Sequence, residues 1–430
     1  MMIIKSYKRW LIICFMSILL IGSFHHIISK KIEFVTYSNG NLRIQDYAYH
    51  IIMVNSFWFD GFGNIYKPYF QQQALSAYVG SKIHAVMPLG ITPIALLVWF
   101  PFAYVARFSM ALSYTIWMTI SIVTLINALW SFGRLFFQNR NSSILSITLS
   151  LITLFSATTF FAIILGQTSV LAAGLLIYLI CLLYKKANEP TSYNFLIFSL
   201  LVFILGMKPT YIILCLGLLI IYGMWREALY SILIVFVFLI GITPLLTLGW
   251  VPSYLNLLRM YSHGEFPAFY ASAIVPETMN IFRSAFRNIL SDNIAGLISN
   301  FVTYSVYICV VGLSLLSKIK KKPIYQLFFS RMTREQLVVL FIASYLLFAP
   351  YAGGYEDILF LPVFITVSLY GNTPPLTNYK SITLTCILFV ILLHNIFPPD
   401  KPLWLFWILK TIILGSMVIF CRYPSKKRVR

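Results

Sequence analysis

The sequence predicts an all-α polytopic membrane protein, and three observations carry this prediction. Hydrophobic residues make up 60% of the 430 residues and charged residues only 10%, a balance that would give a water-soluble protein very large exposed apolar areas. Apolar runs of about 15–22 residues recur along the chain, which is the length that a helix needs to cross a bilayer. The formal net charge is +20, as expected where Lys and Arg collect in cytoplasmic loops beside anionic lipid.

The chain begins with a basic segment and an apolar run that extends from about Trp10 to Ile28. No convincing small-residue cleavage site follows this run, so we interpret it as a retained signal anchor. Residues 29–86 then form a first extracytoplasmic loop. The stretch Asp46 to Phe62 within it is rich in aromatic residues and predicts a helix lying in the membrane interface.

The next segment, Leu89 to Val105, is apolar but contains Pro93 and Pro101. Because proline interrupts helices, we expect a broken and partly inserted segment here rather than a complete crossing. Met110 to Phe132 is a clean span that ends at basic residues of a cytoplasmic turn.

Apolar runs then alternate with turns to the end of the chain. A second extracytoplasmic loop, residues 249–298, interrupts the series. The alternation predicts about 12 crossings with both termini cytoplasmic, in one integral membrane domain of the cell inner (plasma) membrane covering residues 1–430. The remaining predicted spans are Ile144–Leu165, Val170–Tyr184, Phe195–Met207, Tyr211–Trp225, Leu229–Leu248, Phe301–Leu316, Leu337–Phe348, Ile358–Tyr370, Ile382–Phe397 and Leu403–Phe420.

Several classes of function lack support in the sequence. The six cysteines all lie in or beside apolar runs without a Cys-x-x-Cys pair, which favours small core residues over disulfides or metal ligands. The chain has no Walker loop, no Gly-x-Gly-x-x-Gly and no His-Glu-x-x-His. Nothing in it resembles a nucleic-acid-binding module, so its basic character indicates membrane topology.

Acidic residues are scarce, with only 12 Asp and Glu in the chain. None is firmly expected at mid-membrane, which is unlike many ion-coupled transporters, whose carboxylates mark a path through the bilayer. The unusual polar turns instead share the outer face in the predicted topology. They are Asp46, Thr92-Pro93, Gly166-Gln167, Lys208-Pro209, Glu277 to Arg287 and Glu356-Asp357.

Five segments carry a family resemblance through their order along the chain. They are Gln45-Asp46-Tyr47 with Gly63-Asn64-Ile65-Tyr66, Ile91-Thr92-Pro93 with Pro101-Phe102-Ala103, Leu165-Gly166-Gln167-Thr168-Ser169, Lys208-Pro209-Thr210, and Tyr355-Glu356-Asp357-Ile358 through Pro362. Over residues 40–365 the chain resembles the GT-C membrane glycosyltransferases, and more narrowly glycosyltransferase family 87 of the polyprenyl-phosphate-mannose-dependent type. Ile91 and Thr92 depart from the Tyr-Pro of the corresponding family motif.

The resemblance assigns the catalytic role to Asp46. A carboxylate within hydrogen-bond reach of an acceptor hydroxyl can remove its proton as the new bond forms. The same residue could instead cap the interfacial helix or be simply solvated. Asp60 is the second candidate base, with a turn role before Gly61 as its alternative.

A departing lipid phosphate needs positive charge, and Lys208 is the expected partner. The alternative is a lysine that snorkels to the interface. Arg283 and Arg287 could add donors, since they lie four residues apart and would share a face of a helix. Contact with lipid head groups is their alternative.

The other candidate substrate-binding residues are Gln167, Tyr66, His263, Glu356 and Asp357. Gln167 could form a hydrogen bond with a sugar hydroxyl or with a backbone group at its turn. Tyr66 is a candidate because it belongs to the Gly-x-x-Tyr segment. His263 could pair with phosphate or be exposed. Glu356 and Asp357 could hold a sugar or cap the following span, and the calcium-loop spacing is absent.

The resemblance implies transfer of a hexose, mannose in this family type, from a polyprenyl-phosphate donor to a lipid-linked glycan or glycolipid acceptor on the extracytoplasmic face. A single displacement would invert the anomeric carbon, and no metal or cofactor is implied. Membrane lipids, but no nucleic acid, would be the other partners. A transporter or flippase of lipid-linked sugars, and an O-antigen polymerase or ligase with a diphosphate donor, are the alternatives.

Overall fold

The structure is a computed structural model, and the described part of the chain is almost entirely helical. It describes residues 35–38, 41–61, 63–80, 89–136, 142–154, 156–188, 195–263, 282, 286, 289–290, 292–320, 334–348, 358–359, 361–363, 407–408 and 410–415. Many of these helices are strongly apolar, as the composition requires of a membrane protein.

The segment predicted as the first extracytoplasmic loop contains more regular structure than its sequence indicated. Strands β1 (Val35–Ser38) and β2 (Asn41–Ile44) pair antiparallel and lead into helix α1 (Asp46–Trp58). Helix α1 occupies most of the predicted interfacial segment. The hairpin and the next helix, α2 (Pro68–Val79), were not predicted from hydropathy.

The proline-bearing segment is broken, as expected. It forms two short helices, α3 (Ile94–Val98) and α4 (Phe100–Ala106), joined at Trp99. Pro93 precedes α3 and Pro101 lies in the first turn of α4, where a missing backbone N–H leaves no helical hydrogen bond unmade.

The span that was expected at Ile144–Leu165 is wrong as a single helix. The chain forms α5 (Met110–Phe136), then α6 (Ser142–Leu154) and α7 (Ala157–Leu165) as separate helices. The cause of the second start is local. Ser156 has extended backbone and its hydroxyl accepts a hydrogen bond from the Thr159 N–H at 3.2 Å, which caps α7.

The remaining described helices follow the order of the apolar runs. The predicted span Phe301–Leu316 starts too late, because its helix begins nine residues earlier, at Asp292. The helices are α8 (Ser169–Asn188), α9 (Phe195–Leu205), α10 (Pro209–Ile221), α11 (Trp225–Leu246), α12 (Trp250–His263), α13 (Asp292–Lys320) and α14 (Arg334–Phe348).

Within the described ranges, four helices are long and apolar enough to cross a membrane: α5, α8, α11 and α13. The apolar helices α9, α10 and α14 are shorter. Helix α8 is mostly buried and packs closely on α5, since a Cβ added at Gly174 would lie 2.9 Å from the Leu125 backbone nitrogen. Helices α11 and α13 leave most of their apolar residues exposed, as helices that face lipid do.

Candidate active site

Asp46 is the first residue of α1, and its carboxylate meets a side chain from a distant part of the sequence. The Gln167 side-chain amide donates a hydrogen bond to Asp46 Oδ2. The partial positive charge of the helix N-terminus also favours a carboxylate at this position. Asp46 remains partly accessible at its surface, so it is both held in place and open to a small group from outside.

Burial of the carboxylate raises the pKa of Asp46 from 3.8 to about 6. The positive charge of Lys208 and the hydrogen bond from Gln167 act in the opposite direction and limit the rise. A carboxylate with this pKa is ionised at neutral pH and accepts a proton more readily than an ordinary aspartate. The environment of Asp46 therefore suits a general base.

Gln167 lies in the tight turn between α7 and α8. Gly166 ends α7 in the left-handed conformation with φ +67°, and the Gln167 N–H donates to the Ala162 carbonyl at 2.9 Å. A Cβ added at Gly166 would lie 2.4 Å from the Cβ of Tyr47. Only glycine therefore satisfies both the backbone conformation and the close contact with α1.

Side chains from two other elements bind the carbonyl groups at the end of α7. The Gln45 amide donates to the Ile164 carbonyl, and the Tyr114 hydroxyl donates to the Ile163 carbonyl. The Trp117 indole N–H donates to the Gly166 carbonyl at 3.3 Å. These bonds occupy carbonyls at the C-terminal end of α7 and fix the turn against the start of α1 and the middle of α5.

Lys208 lies in the second such turn, between α9 and α10. Thr92 holds this turn from the broken segment: its N–H donates to the Met207 carbonyl at 2.9 Å and its hydroxyl donates to the Gly206 carbonyl. The Lys208 ammonium lies 5.5 Å from the centre of the Tyr211 ring. The positive charge of the ammonium acts on the carboxylate of Asp46 and lowers its pKa.

Tyr66 belongs to a separate aromatic cluster. Its ring packs 4.9 Å from that of Tyr254 and 6.1 Å from that of Trp250, and the side chain is buried. Asn64 ties the same turn to α12 through a 3.2 Å hydrogen bond to Ser253. Substrate binding by Tyr66 stays a prediction, since the structure gives it an interior packing role.

The other predicted site residues divide into two groups. Asp60 is exposed, just beyond the C-terminal end of α1 and about 20 Å from Asp46 at 1.5 Å per helical residue. The remaining predictions fall outside the described residues. They are Arg283, Arg287, Glu356, Asp357 and the side chain of His263, whose backbone ends α12.

Two residues at this site were not predicted. Thr92 was noted as a departure from a family motif, but its hydrogen bonds position the turn that carries Lys208. His50 follows Asp46 by four residues on α1, a spacing that places two side chains on the same helix face. That spacing was readable in the sequence and could have indicated His50.

The arrangement joins a proton acceptor to a cation. Asp46, with a raised pKa, can accept a proton from a hydroxyl group. Lys208 can stabilise a phosphate by charge and hydrogen bonding. The Gln167 amide fixes the carboxylate. Such a site can transfer a group from a phosphate to a hydroxyl.

Comparison with known proteins gives one match. The family model for glycosyltransferase family 87 matches residues 92–350, which is more than half of the chain. The matched region includes Gln167 and Lys208, whereas Asp46 precedes it. Neither the search of curated proteins nor the search of solved structures found a match.

Proposed function

Because the chain belongs to glycosyltransferase family 87 and is a membrane glycosyltransferase, we propose that it transfers a hexose from a polyprenyl-phosphate donor to a lipid-linked glycan or glycolipid. The reaction takes place on the extracytoplasmic face of the cell inner membrane. The observation that carries this proposal is the hydrogen bond from Gln167 to Asp46, with the charge of Lys208 acting on the same carboxylate; the three residues come from distant parts of the chain.

In the proposed reaction Asp46 is the general base. Its carboxylate takes the proton of an acceptor hydroxyl while the hydroxyl oxygen forms a bond to the anomeric carbon of the hexose. The bond between that carbon and the phosphate oxygen breaks, and its electron pair leaves with the polyprenyl phosphate. A single displacement of this kind inverts the anomeric configuration.

Lys208 stabilises the departing phosphate. Negative charge grows on the phosphate oxygens as the glycosyl bond breaks, and a fixed ammonium group favours that transition state over the ground state. Thr92 supports the role by holding the turn that ends at Lys208. Mannose as the sugar follows from the resemblance to the mannose-dependent type.

A transfer assay tests the proposal directly. Membranes containing the protein are incubated with radiolabelled polyprenyl-phosphate mannose and a lipid acceptor, and labelled glycolipid is separated from unused donor. We expect Asp46→Asn to lower transfer by about 10²–10⁴-fold, the usual contribution of a general base. Asp60→Asn is the matched control and retains the wild-type rate, because Asp60 is exposed at the far end of α1.

The outcome also separates the enzyme from a flippase, since a flippase moves the donor across the bilayer without forming a glycosidic bond. Movement of labelled donor without labelled glycolipid would contradict the proposal. Unchanged transfer by Asp46→Asn, at equal protein level, would remove Asp46 from the role of base.

A further inference from the structure

His50 is a polar residue at the candidate site for which the proposed reaction has no role. It lies one helical turn after Asp46, on the same face of α1. The residue is partly accessible, and no side chain or backbone group within the described ranges forms a hydrogen bond with its ring. The two ring nitrogens are therefore open to a ligand from outside.

The packing around His50 fixes the orientation of its ring. The ring centre of Trp99 lies 4.8 Å away, and Trp99 itself is fully buried at the junction of α3 and α4. The centre of the Tyr49 ring lies 5.9 Å from that of His50. An immobilised ring loses little further entropy when it binds a ligand, so its hydrogen bonds contribute more to affinity.

The charge state of His50 decides which ligand it can take. Burial lowers the pKa of His50 from 6.5 to about 3, and the nearby charge of Lys208 acts in the same direction. The ring is therefore neutral at physiological pH and offers one N–H donor and one acceptor nitrogen. A hydroxyl group, which also donates and accepts, is the matching ligand, whereas phosphate would engage only the donor.

We propose that His50 binds a hydroxyl group of the donor hexose and so orients the sugar between Asp46 and Lys208. This inference rests on the proposed function. The anomeric carbon must lie between the base, which receives the proton of the acceptor, and the cation, which receives the phosphate. His50 is on the same helix face as the base, with its ring held against Trp99, and the charge of Lys208 acts on that ring. The proposal therefore places His50 beside the sugar ring.

Three variants and a set of donors test the inference. His50→Phe keeps a flat ring against Trp99 but removes both nitrogens, while His50→Gln and His50→Asn restore neutral donor and acceptor groups. With the normal donor, His50→Phe should lower kcat/KM for the donor about tenfold, the effect of one lost hydrogen bond. One of the two amide variants should recover most of that loss, and the KM for the acceptor should not change.

Donors that each lack one hydroxyl identify the contact. In the wild type, one deoxy donor should react about tenfold more slowly through loss of the hydrogen bond to His50. In His50→Phe the same omission should cause no further loss, because the partner is already gone. Equal losses in both proteins for every deoxy donor would overturn the inference, and so would an unchanged kcat/KM in His50→Phe.

Two controls keep these outcomes distinct. Thermal unfolding of each variant shows whether the substitution at position 50 disturbs α1. If His50→Phe disturbs the helix, the comparison of His50→Gln and His50→Asn with the wild type replaces it as the test. Loss of transfer in Asp46→Asn together with wild-type behaviour of His50→Phe would overturn only the role of His50. Full transfer by Asp46→Asn would instead overturn the role of Asp46 as the base of the proposed reaction.

Discussion

The two ends of helix α1 carry the two aspartates that sequence reasoning offered as candidate bases. At the N-terminal end, Asp46 accepts a hydrogen bond from Gln167 and lies near the ammonium of Lys208. At the other end, Asp60 is exposed and forms no hydrogen bond or ion pair with another described residue. The scarcity of carboxylates in the chain indicated both residues equally, but only one end of the helix has the surroundings of a base.

The difference between the ends comes from what packs against them. The N-terminal end contacts the Gly166-Gln167 turn, because Gly166 has no Cβ to separate it from Tyr47. At the C-terminal end, the Arg107 guanidinium lies 4.5 Å from the centre of the Phe59 ring, so this cation stacks on an aromatic side chain. The turns that pack against each end of α1 therefore determine which of the two carboxylates can react.

After Asp46→Asn, removal of Lys208 should give the largest effect on transfer. We expect Lys208→Ala to lower kcat/KM for the donor by about 10²–10³-fold, since a group that stabilises growing transition-state charge is lost. Lys208→Arg keeps the charge and should lose less activity. Initial rates at varied donor concentration give the result. Wild-type kinetics of Lys208→Ala would show that Lys208 does not stabilise the phosphate, and the N-terminal end of α1 would then lose this distinction from the C-terminal end.

The pH dependence of transfer sharpens the contrast. A base with a raised pKa is active when deprotonated, so kcat/KM should be constant at high pH and fall as the pH drops through about 6. Gln167→Leu removes a hydrogen bond that favours the carboxylate, so the pKa of Asp46 should rise. We expect the acid limb to move up by about one pH unit, given the usual strength of a hydrogen bond to a charged group.

Rates measured from pH 5 to 8 test this shift. Gln73→Leu is the matched control, because Gln73 is exposed on α2 and its amide donates a 2.7 Å hydrogen bond to the neighbouring Tyr69 hydroxyl. Its acid limb should coincide with that of the wild type. A limb that stays in place in Gln167→Leu would mean that the amide does not act on the ionisation of Asp46.

The sequence predicted most of what hydropathy controls. Apolar runs located the helices α5 and α8 to α11 within a few residues, and the prolines predicted the break between α3 and α4. It missed the break before α7, because a serine cap inside an apolar run leaves mean hydropathy nearly unchanged. The hairpin before α1 was also missed, since it depends on pairing between strands of four residues.

The members of the site were predicted, but one of their contacts was not. The sequence placed Asp46, Gln167 and Lys208 on one outer face and in one site, but no local pattern indicated that the Gln167 amide would bond the carboxylate. That contact depends on the three-dimensional packing of Gly166 against Tyr47. The hydrogen bond from the Thr92 hydroxyl to the Gly206 carbonyl joins residues 114 positions apart, a separation that local sequence patterns do not reach.

The smallest effect concerns thermal stability and compares the two aspartates directly. Folding raises the pKa of Asp46 above its unfolded value, so the ionised carboxylate costs stability. This cost is complete above about pH 6, where both states are ionised, and disappears below about pH 4, where both are protonated. Asp46→Asn should therefore raise the melting temperature of the purified protein by about 1–3 °C at pH 7.5.

The same comparison at acid pH makes the test specific. At pH 4.5 the increase in melting temperature caused by Asp46→Asn should be smaller. Asp46 is then largely protonated in the folded wild type, so its ionisation lowers stability only a little. Asp60→Asn should leave the melting temperature unchanged at both pH values, since its carboxylate is exposed. If Asp46→Asn were instead less stable than the wild type at pH 7.5, the carboxylate would be a structural cap of α1. The two ends of the helix would then differ in packing and not in chemistry.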